Sequence, residues 1–292
     1  MRFLSYDLDG ERSYGALTED KKHIINLSEK FNYETLLDFI IEYNEKDLDK
    51  TVKDILKSEK NLIDLNEVEI VSPIPKTRRN IICLGLNYLD HAKESEKYKD
   101  NNFRLPEAPA YFSKMSASTI GHNMSLKLDE NLTEKLDYEV ELAIVIGKEG
   151  TNIPKDKVND YIFGYTIMND FTARDLQRKH TQWFKGKSLD NYTSLGPVVV
   201  HKDEFDLPLE VYLKSYVNGE LRQSSNTRHL IYDIEEIISD FSKGVTLLPG
   251  DIIATGTPAG VGMGMHPPKF LKKGDSVICE IENIGLLENK IV

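Results

Sequence analysis

One stretch constrains this chain more than any other: Leu136-Asp137-Tyr138-Glu139-Val140-Glu141-Leu142, which runs directly into the apolar segment Ala143-Ile144-Val145-Ile146-Gly147. Alternation of acidic and apolar residues has the period of a β-strand, whose successive side chains point to opposite faces. Read as a strand, it sets Asp137, Glu139 and Glu141 on one face and Tyr138, Val140 and Leu142 on the other. Carboxylates in file repel one another, and bringing them to the edge of a core is costly unless something positive neutralises them. A hard divalent cation with oxygen ligands would do so. The competing reading is an ordinary half-buried strand whose acids face water.

The chain has 292 residues, 40% of them hydrophobic, enough for one large core or for a catalytic domain with a smaller attachment. No apolar stretch approaches the roughly 18 residues that span a bilayer, and Met1-Arg2-Phe3-Leu4-Ser5-Tyr6-Asp7 does not read as a signal peptide. A soluble, cytoplasmic protein without membrane contact is the expectation. Cys83 and Cys279 sit in apolar, strand-like surroundings and are expected to be buried, reduced thiols. A formal net charge of -11 and the lack of any long basic run argue against a nucleic-acid partner. An anionic small molecule would need positive charge concentrated in its site, from a metal or from particular Lys and Arg residues.

Apolar-polar alternation around Asp9-Gly10 and Asp20-Lys21-Lys22 predicts a small antiparallel meander over residues 1 to about 28. Apolar stripes at Leu36, Leu37, Phe39, Ile40 and Ile41, and at Val52, Ile55 and Leu56, predict helices. The paired prolines of Ser72-Pro73-Ile74-Pro75 favour an extended connector, which divides the chain into a small N-terminal domain, 1–75, and a larger domain, 76–292. Beyond it, strands are expected at 80–86, 111–114, 139–146, 161–168 and 196–200, helices at 172–182 and 230–241, and a hairpin at Asn218-Gly219. The charged segment 93–109 reads as a mobile surface loop able to serve as a lid. This order favours a mainly β, α+β architecture over a doubly wound parallel sheet.

Two nucleotide motifs fail on spacing. Gly186-Lys187-Ser188 lacks the glycine of a phosphate loop, its place being taken by Thr181, and Gly260, Gly262 and Gly264 miss the dinucleotide fingerprint at Met265. Thr255 to Gly262 remains as either a structural turn or a loop whose glycines let backbone approach a ligand, with Thr257 offering a hydroxyl. His91 and Glu94 share a helical face at i,i+3; such a pair suits a surface helix or an imidazole base oriented by a carboxylate. Asp170 stands where a strand gives way to a helix. It serves either the helix start or a cation shell with Glu139 and Glu141. Arg174 and Gln177 follow on the same helical face, and Lys185 and Lys187 add local cations.

Taken together, these segments resemble the fumarylacetoacetate hydrolase family. The resemblance rests on the ordered set Gly85-Leu86-Asn87-Tyr88 with His91 and Glu94, Leu136 to Leu142, Gly164 to Asp170 running into Thr172 to Gln177, Gly186-Lys187-Ser188, Leu195-Gly196-Pro197 and Gly250 to Pro258, covering about residues 78 to 292. It implies a rolled β-sandwich catalytic domain with a small N-terminal α/β attachment, in a homodimer. Glu139, Glu141 and Asp170 would ligate Mg²⁺ or Mn²⁺, with His91 and Glu94 as an acid/base dyad on a segment that orders over substrate. Lys187, Arg174, Gln177 and Thr257 would contact a 2-oxo acid, and Asp137 would support the site. The activity implied is C–C hydrolysis or isomerisation of a 2-oxo (di)acid through an enolate at the metal. An oxaloacetate-type decarboxylase and a non-catalytic small-acid-binding protein are the alternatives. Met115, Asn191 and Ser194 depart from the family pattern, away from the metal and dyad positions.

Overall fold

The computed structural model describes residues 1–43, 48–58, 61–96 and 107–292. Most of the lid expected at 93–109 lies outside the described residues. The hairpin signals of the N-terminal segment fold as their chemistry requires. Arg2–Leu8 and Glu11–Leu17 turn at Asp9 and Gly10, both with positive φ (52° and 84°), the conformation of a tight hairpin. His23–Asn26 adds a third strand, and helices Leu36–Tyr43 and Leu48–Ser58 follow.

These strands continue a larger sheet of eleven. Arg2–Leu8 pairs with Thr193–His201, which is followed in lateral order by Ile162–Asp170, Val140–Ile146, Ile252–Ala254, Ile81–Gly85 and Ala110–Lys114. Only backbone near the chain start and residues close to 200 make the first of these junctions, through Arg2 opposite Val200 and Phe3 opposite Val199. A second sheet of five runs Glu220–Asn226, Tyr212–Val217, Ser276–Ile281, Gly285–Ile291, Ser125–Leu126. Asn218 and Gly219, with φ of 52° and 80°, form the expected hairpin turn between two of its strands.

The apolar run that opened the sequence lies at the centre of this packing. In Val140–Ile146 every residue is buried. Val140, Leu142, Ile144 and Ile146 join a core with Leu213, Val277, Cys279 and Leu287 of the second sheet, whereas Ala143 and Val145 join another with Phe39 and Ile40 of the first helix. The architecture is therefore α+β and mainly β, two sheets packed face to face with the helices Leu36–Tyr43 and Leu48–Ser58 on the outer face of the larger one. Cys83 and Cys279 are both free and buried. Among the described residues no helix is long and apolar enough to cross a membrane.

Three sequence expectations need correction. The strand through residues 136–146 is interrupted at Tyr138 and Glu139: Leu136–Asp137 pairs with Thr172–Ala173, and Val140–Ile146 pairs with Ile162–Asp170. Asp137 is thereby separated from Glu139 and Glu141, because its carboxylate is drawn away by the N–H groups of Gly262 and Met263 and by Arg174 Nε. The helix expected at 172–182 shortens to Arg174–Lys179, since Thr172 and Ala173 are spent on that pairing and His180 is extended; Phe184–Lys187 forms a separate turn. The helix expected from 230 begins at Ile234, because Asp233 caps it, its side chain accepting the Glu236 N–H.

Candidate active site

Strand register brings the acids together. Val140 lies opposite Asn169 and Glu141 opposite Met168, so Glu139 falls opposite Asp170, and the Asp170 N–H donates to the Glu139 carbonyl at 2.9 Å. Glu141 has the parity of Ala143 and Val145, and Asp170 that of Met168; all three apolar residues belong to the core on the helix side. Glu139, Glu141 and Asp170 therefore converge, each with a carboxylate oxygen within 4.8 Å of the others, at 4%, 1% and 0% exposure.

Three buried cations hold them. Lys187 Nζ donates to Glu139 Oε2 and Asp170 Oδ2, both at 2.7 Å. Lys114, fully buried, donates to Asp170 Oδ1 and to the Phe171 carbonyl. Arg174 bridges Asp137 (Nε to Oδ2, 2.8 Å) and Glu139 (Nη1 to Oε1, 2.7 Å), and its Nη1 also donates to Gln177 Oε1. Glu141 differs, accepting the Gly256 N–H at 2.9 Å. Burial pushes the Glu139 carboxyl up, but Lys187 and Arg174 overcome it and hold the group down to about 2. Glu141 moves the other way: burial, then the charges of Asp170 and Glu139, raise it well above the ordinary carboxylate range. Burial lowers the Lys114 ammonium, opposed by Asp170.

Opposite these groups, Leu86 at φ 57° turns the strand Ile81–Gly85 into the helix Leu89–Glu96. Asn87 pins the turn, donating to the Thr255 and Tyr232 carbonyls and accepting the Tyr232 N–H. The helix presents His91 with Nδ1 at 3.3 Å from Glu94 Oε2, and Glu94 accepts the Gly260 N–H at 3.1 Å. A Cβ at Gly264 would lie 2.0 Å from that carboxyl, so only glycine leaves Glu94 its place. Likewise a Cβ at Gly85 would lie 2.2 Å from the Trp183 ring.

Between acids and dyad lies a cavity of about 500 Å³, into whose wall His91, Glu139, Glu141, Arg174, Lys187 and Thr257 all enter. Gln177 lines it as well; of the sequence-derived candidates, Glu94 stands behind His91, and the fully buried Asp170 is reached through Lys187 and the other two acids rather than from the cavity. The Thr257 hydroxyl is engaged, donating to the Val140 carbonyl and accepting from Gln223 Nε2. Lys114, Asn169, Gln223 and Trp183 had no spacing signal; the first three reach the site through strand pairing, and Trp183 through the turn that starts Phe184–Lys187. Three carboxylate oxygens this close together are the donor set of a hard divalent cation, and they fit Mg²⁺ or Mn²⁺. Arg174 also keeps its buried Nη2 without a hydrogen-bond partner, a donor directed to no group of the protein.

Residues 80–292 match the family model described as fumarylacetoacetate (FAA) hydrolase C-terminal. The chain belongs to the fumarylacetoacetate hydrolase family. It is 50% identical over 230 residues to the oxaloacetate tautomerase YisK of Bacillus subtilis, covering 79% of this chain and 75% of that protein. Among solved structures, the family fold recurs in the fumarylacetoacetate hydrolase of the psychrophile Exiguobacterium antarcticum, at 39% identity and TM-score 0.83 over 100% of this chain and 99% of that one. It recurs also in a maleylpyruvate hydrolase from Sphingobium sp. SYK-6, in complex with manganese(II) ion and pyruvate, at 26% identity and TM-score 0.79 over 100% and 99% of the two chains. Relatives within the fumarylacetoacetate hydrolase family thus carry the names of hydrolases and tautomerases.

Proposed function

We propose that this protein is a divalent-metal-dependent enzyme that moves a proton on a 2-oxo acid, interconverting its keto and enol forms. The observation that carries the reading is Arg174 Nη2, buried and unpartnered, on a residue that lines the same cavity as Glu139 and Glu141, whose carboxylates meet that of Asp170 within 4.8 Å. An anion's place is prepared beside a cation's place, as a 2-oxo acid requires. Bound at the three carboxylates, Mg²⁺ or Mn²⁺ would supply a Lewis acid to the substrate. Arg174 Nη2 receives the substrate carboxylate, and Gln177, which lines the cavity with its oxygen held by Arg174 Nη1, keeps its amide nitrogen as a further donor to that carboxylate. Lys187, kept positive by Asp170 and Glu139 despite burial, opposes the negative charge that develops on the enolate oxygen. His91 carries the proton to and from the adjacent carbon, and Glu94, fastened by the Gly260 N–H, fixes the imidazole's orientation. The similarity to an oxaloacetate tautomerase supports proton transfer as the complete reaction.

A second reading, C–C hydrolysis with His91 activating water, is favoured by the cavity volume, which admits a longer 2-oxo acid, and by the likeness to a maleylpyruvate hydrolase. Release of pyruvate from an acylpyruvate, followed beside the ultraviolet loss of enol, separates the two.

The variants that test the proposal follow from the pairing. Glu139→Gln would remove one of the two carboxylates that face each of Arg174 and Lys187, leaving an excess of buried positive charge, at a cost of about 3–5 kcal/mol. Glu141→Gln still accepts the Gly256 N–H and breaks no ion pair, so it is expected to fold and to lose Mn²⁺ binding by calorimetry together with turnover. His91→Asn is expected to keep Mn²⁺ and lose about 10²-fold or more in turnover. Full metal-dependent turnover in both variants would remove the site.

A further inference from the structure

Val140, the buried residue between Glu139 and Glu141, gives both of its backbone polar groups to side chains. Ile252–Ala254 pairs with this strand along Ala143 to Val145, and the Thr255 N–H still reaches the Leu142 carbonyl. Gly256, at φ 99°, then turns the chain out of line. Beyond that turn the Val140 N–H donates to Gln223 Oε1 at 3.1 Å, and the Val140 carbonyl accepts the Thr257 hydroxyl at 2.9 Å. Two side chains thus do for Val140 what backbone does for Leu142, and they satisfy groups whose burial would otherwise be costly.

Gln223 stands on the strand Glu220–Asn226 of the second sheet, fully buried, and its amide spends every bond it can make. The oxygen accepts the Val140 N–H and the Ser215 hydroxyl (2.8 Å); the nitrogen donates to Thr257 Oγ1 (2.7 Å) and to the Pro258 carbonyl (2.8 Å). One side chain therefore ties the strand of the acids to the loop 255–263. That loop in turn holds three carboxylates by its own N–H groups: Gly256 donates to Glu141, Gly260 to Glu94, and Gly262 and Met263 to Asp137. It lies directly on the strand of Gln223, where a Cβ at Gly260 would come within 2.0 Å of the Arg222 carbonyl oxygen. A shift of the loop moves Glu141 of the acid cluster and Glu94, the partner of His91, together.

We infer that Gln223 is a positioning residue for the reaction: by fixing the loop 255–263 against Val140, it sets the placement of the His91 and Glu94 dyad relative to the three acids. Gln223 stands outside the cavity wall and acts only through the groups it holds. The inference rests on the proposed function for its effect on turnover, and on the geometry alone for its effect on metal binding. Groups that orient metal ligands at one remove change metal affinity or activity by about 10–100-fold when mutated. A misplacement of about 1 Å between reacting groups can cost about 10²-fold in rate.

Gln223→Met keeps the length of the side chain and removes its hydrogen bonds. Mn²⁺ calorimetry, thermal unfolding, and kcat and KM with oxaloacetate at saturating Mn²⁺ test it, alone and combined with His91→Asn. Mn²⁺ is expected to bind about tenfold more weakly and kcat to fall about 30-fold, with KM changed less than about threefold. In the His91→Asn background the further loss in kcat is expected to shrink below about threefold, because no dyad is left to misplace. A merely structural role would lower the melting temperature and cost the same factor in both backgrounds. Ser215→Ala removes one restraint on the amide while the Val140 N–H still serves the Gln223 oxygen, so it is expected to fold and to weaken Mn²⁺ binding and kcat together by about threefold. It decides the matter if Gln223→Met does not fold. Unchanged Mn²⁺ binding and kcat in these variants, or losses in kcat that multiply with that of His91→Asn, overturn the inference. A wild-type protein that binds Mn²⁺ without turning over any 2-oxo acid removes the proposed function and leaves calorimetry to decide the role of Gln223; one that binds no Mn²⁺ removes both.

Discussion

At the scale of single residues, the site is held by groups that tolerate little displacement. Gly264 is the clearest case, because its Cβ would lie 2.0 Å from the Glu94 carboxyl and no strained φ is involved. Gly264→Ala is expected to push Glu94 off the Gly260 N–H and away from His91, lowering turnover about 10²-fold. Since the displaced atoms end a flexible side chain, the melting temperature should change by only a few degrees; kcat and thermal unfolding measured on the same preparation check both halves. Which residues were legible follows from how they reach the site. His91 and Glu94 share a face at i,i+3, and Glu139 and Glu141 share a strand, so local periodicity exposes them. Lys114 sits at the end of an unremarkable strand and meets Asp170 only because two distant strands fold near one another. Asp137 misled for the opposite reason: its spacing matched the other acids, while the N–H groups of Gly262 and Met263 outweighed the period.

At the scale of elements, caps and pairings decided boundaries that apolar patterns blurred. Leu230 and Ile231 continue the stripe of the helix Ile234–Phe241, yet the Ile231 N–H goes to the Asn87 carbonyl and Asp233 takes the Glu236 N–H. The helix starts where a side chain can replace a missing turn. Asp233→Ala is expected to cost about 1 kcal/mol, read as a lower urea midpoint at unchanged slope. Strands were easier to find than to pair. The expected strands at 80–86 and 161–168 correspond to Ile81–Gly85 and Ile162–Asp170 because short apolar runs bounded by polar clusters show in one dimension. Their neighbours did not show. That Val140–Ile146 lies between Ile162–Asp170 and Ile252–Ala254 depends on packing across more than a hundred residues.

At the scale of the whole molecule, the junction between the first strand and the main sheet carries a titration. His201 ends the strand Thr193–His201 against the rings of Phe3, Tyr43 and Phe163. Burial lowers its imidazole from 6.5 to about 4, against the pull of Asp203. The unfolded chain then takes up a proton that the folded one refuses, so this contribution to stability is complete above about pH 6.5 and is lost as the pH falls toward about 4. The slope is at most about 1.4 kcal/mol per pH unit. Urea unfolding at pH 7 and pH 5 should show wild type losing more stability than His201→Phe; equal losses would clear His201 of the effect. The mainly β class was legible from strand signals outnumbering helices, whereas the lateral order of the sheet was not. That order has a consequence in time. Ile81–Gly85, which leads to His91, and Val140–Ile146, which begins beside Glu139, are not neighbours; Ile252–Ala254 lies between them, parallel to one and antiparallel to the other. During synthesis at about 5–20 residues per second, the two halves of the site wait about 5–20 s with open edges for that strand to emerge. The dyad and the acids become one centre only when three residues from late in the chain close the gap, and until then both edges are the places where a nascent chain would mispair.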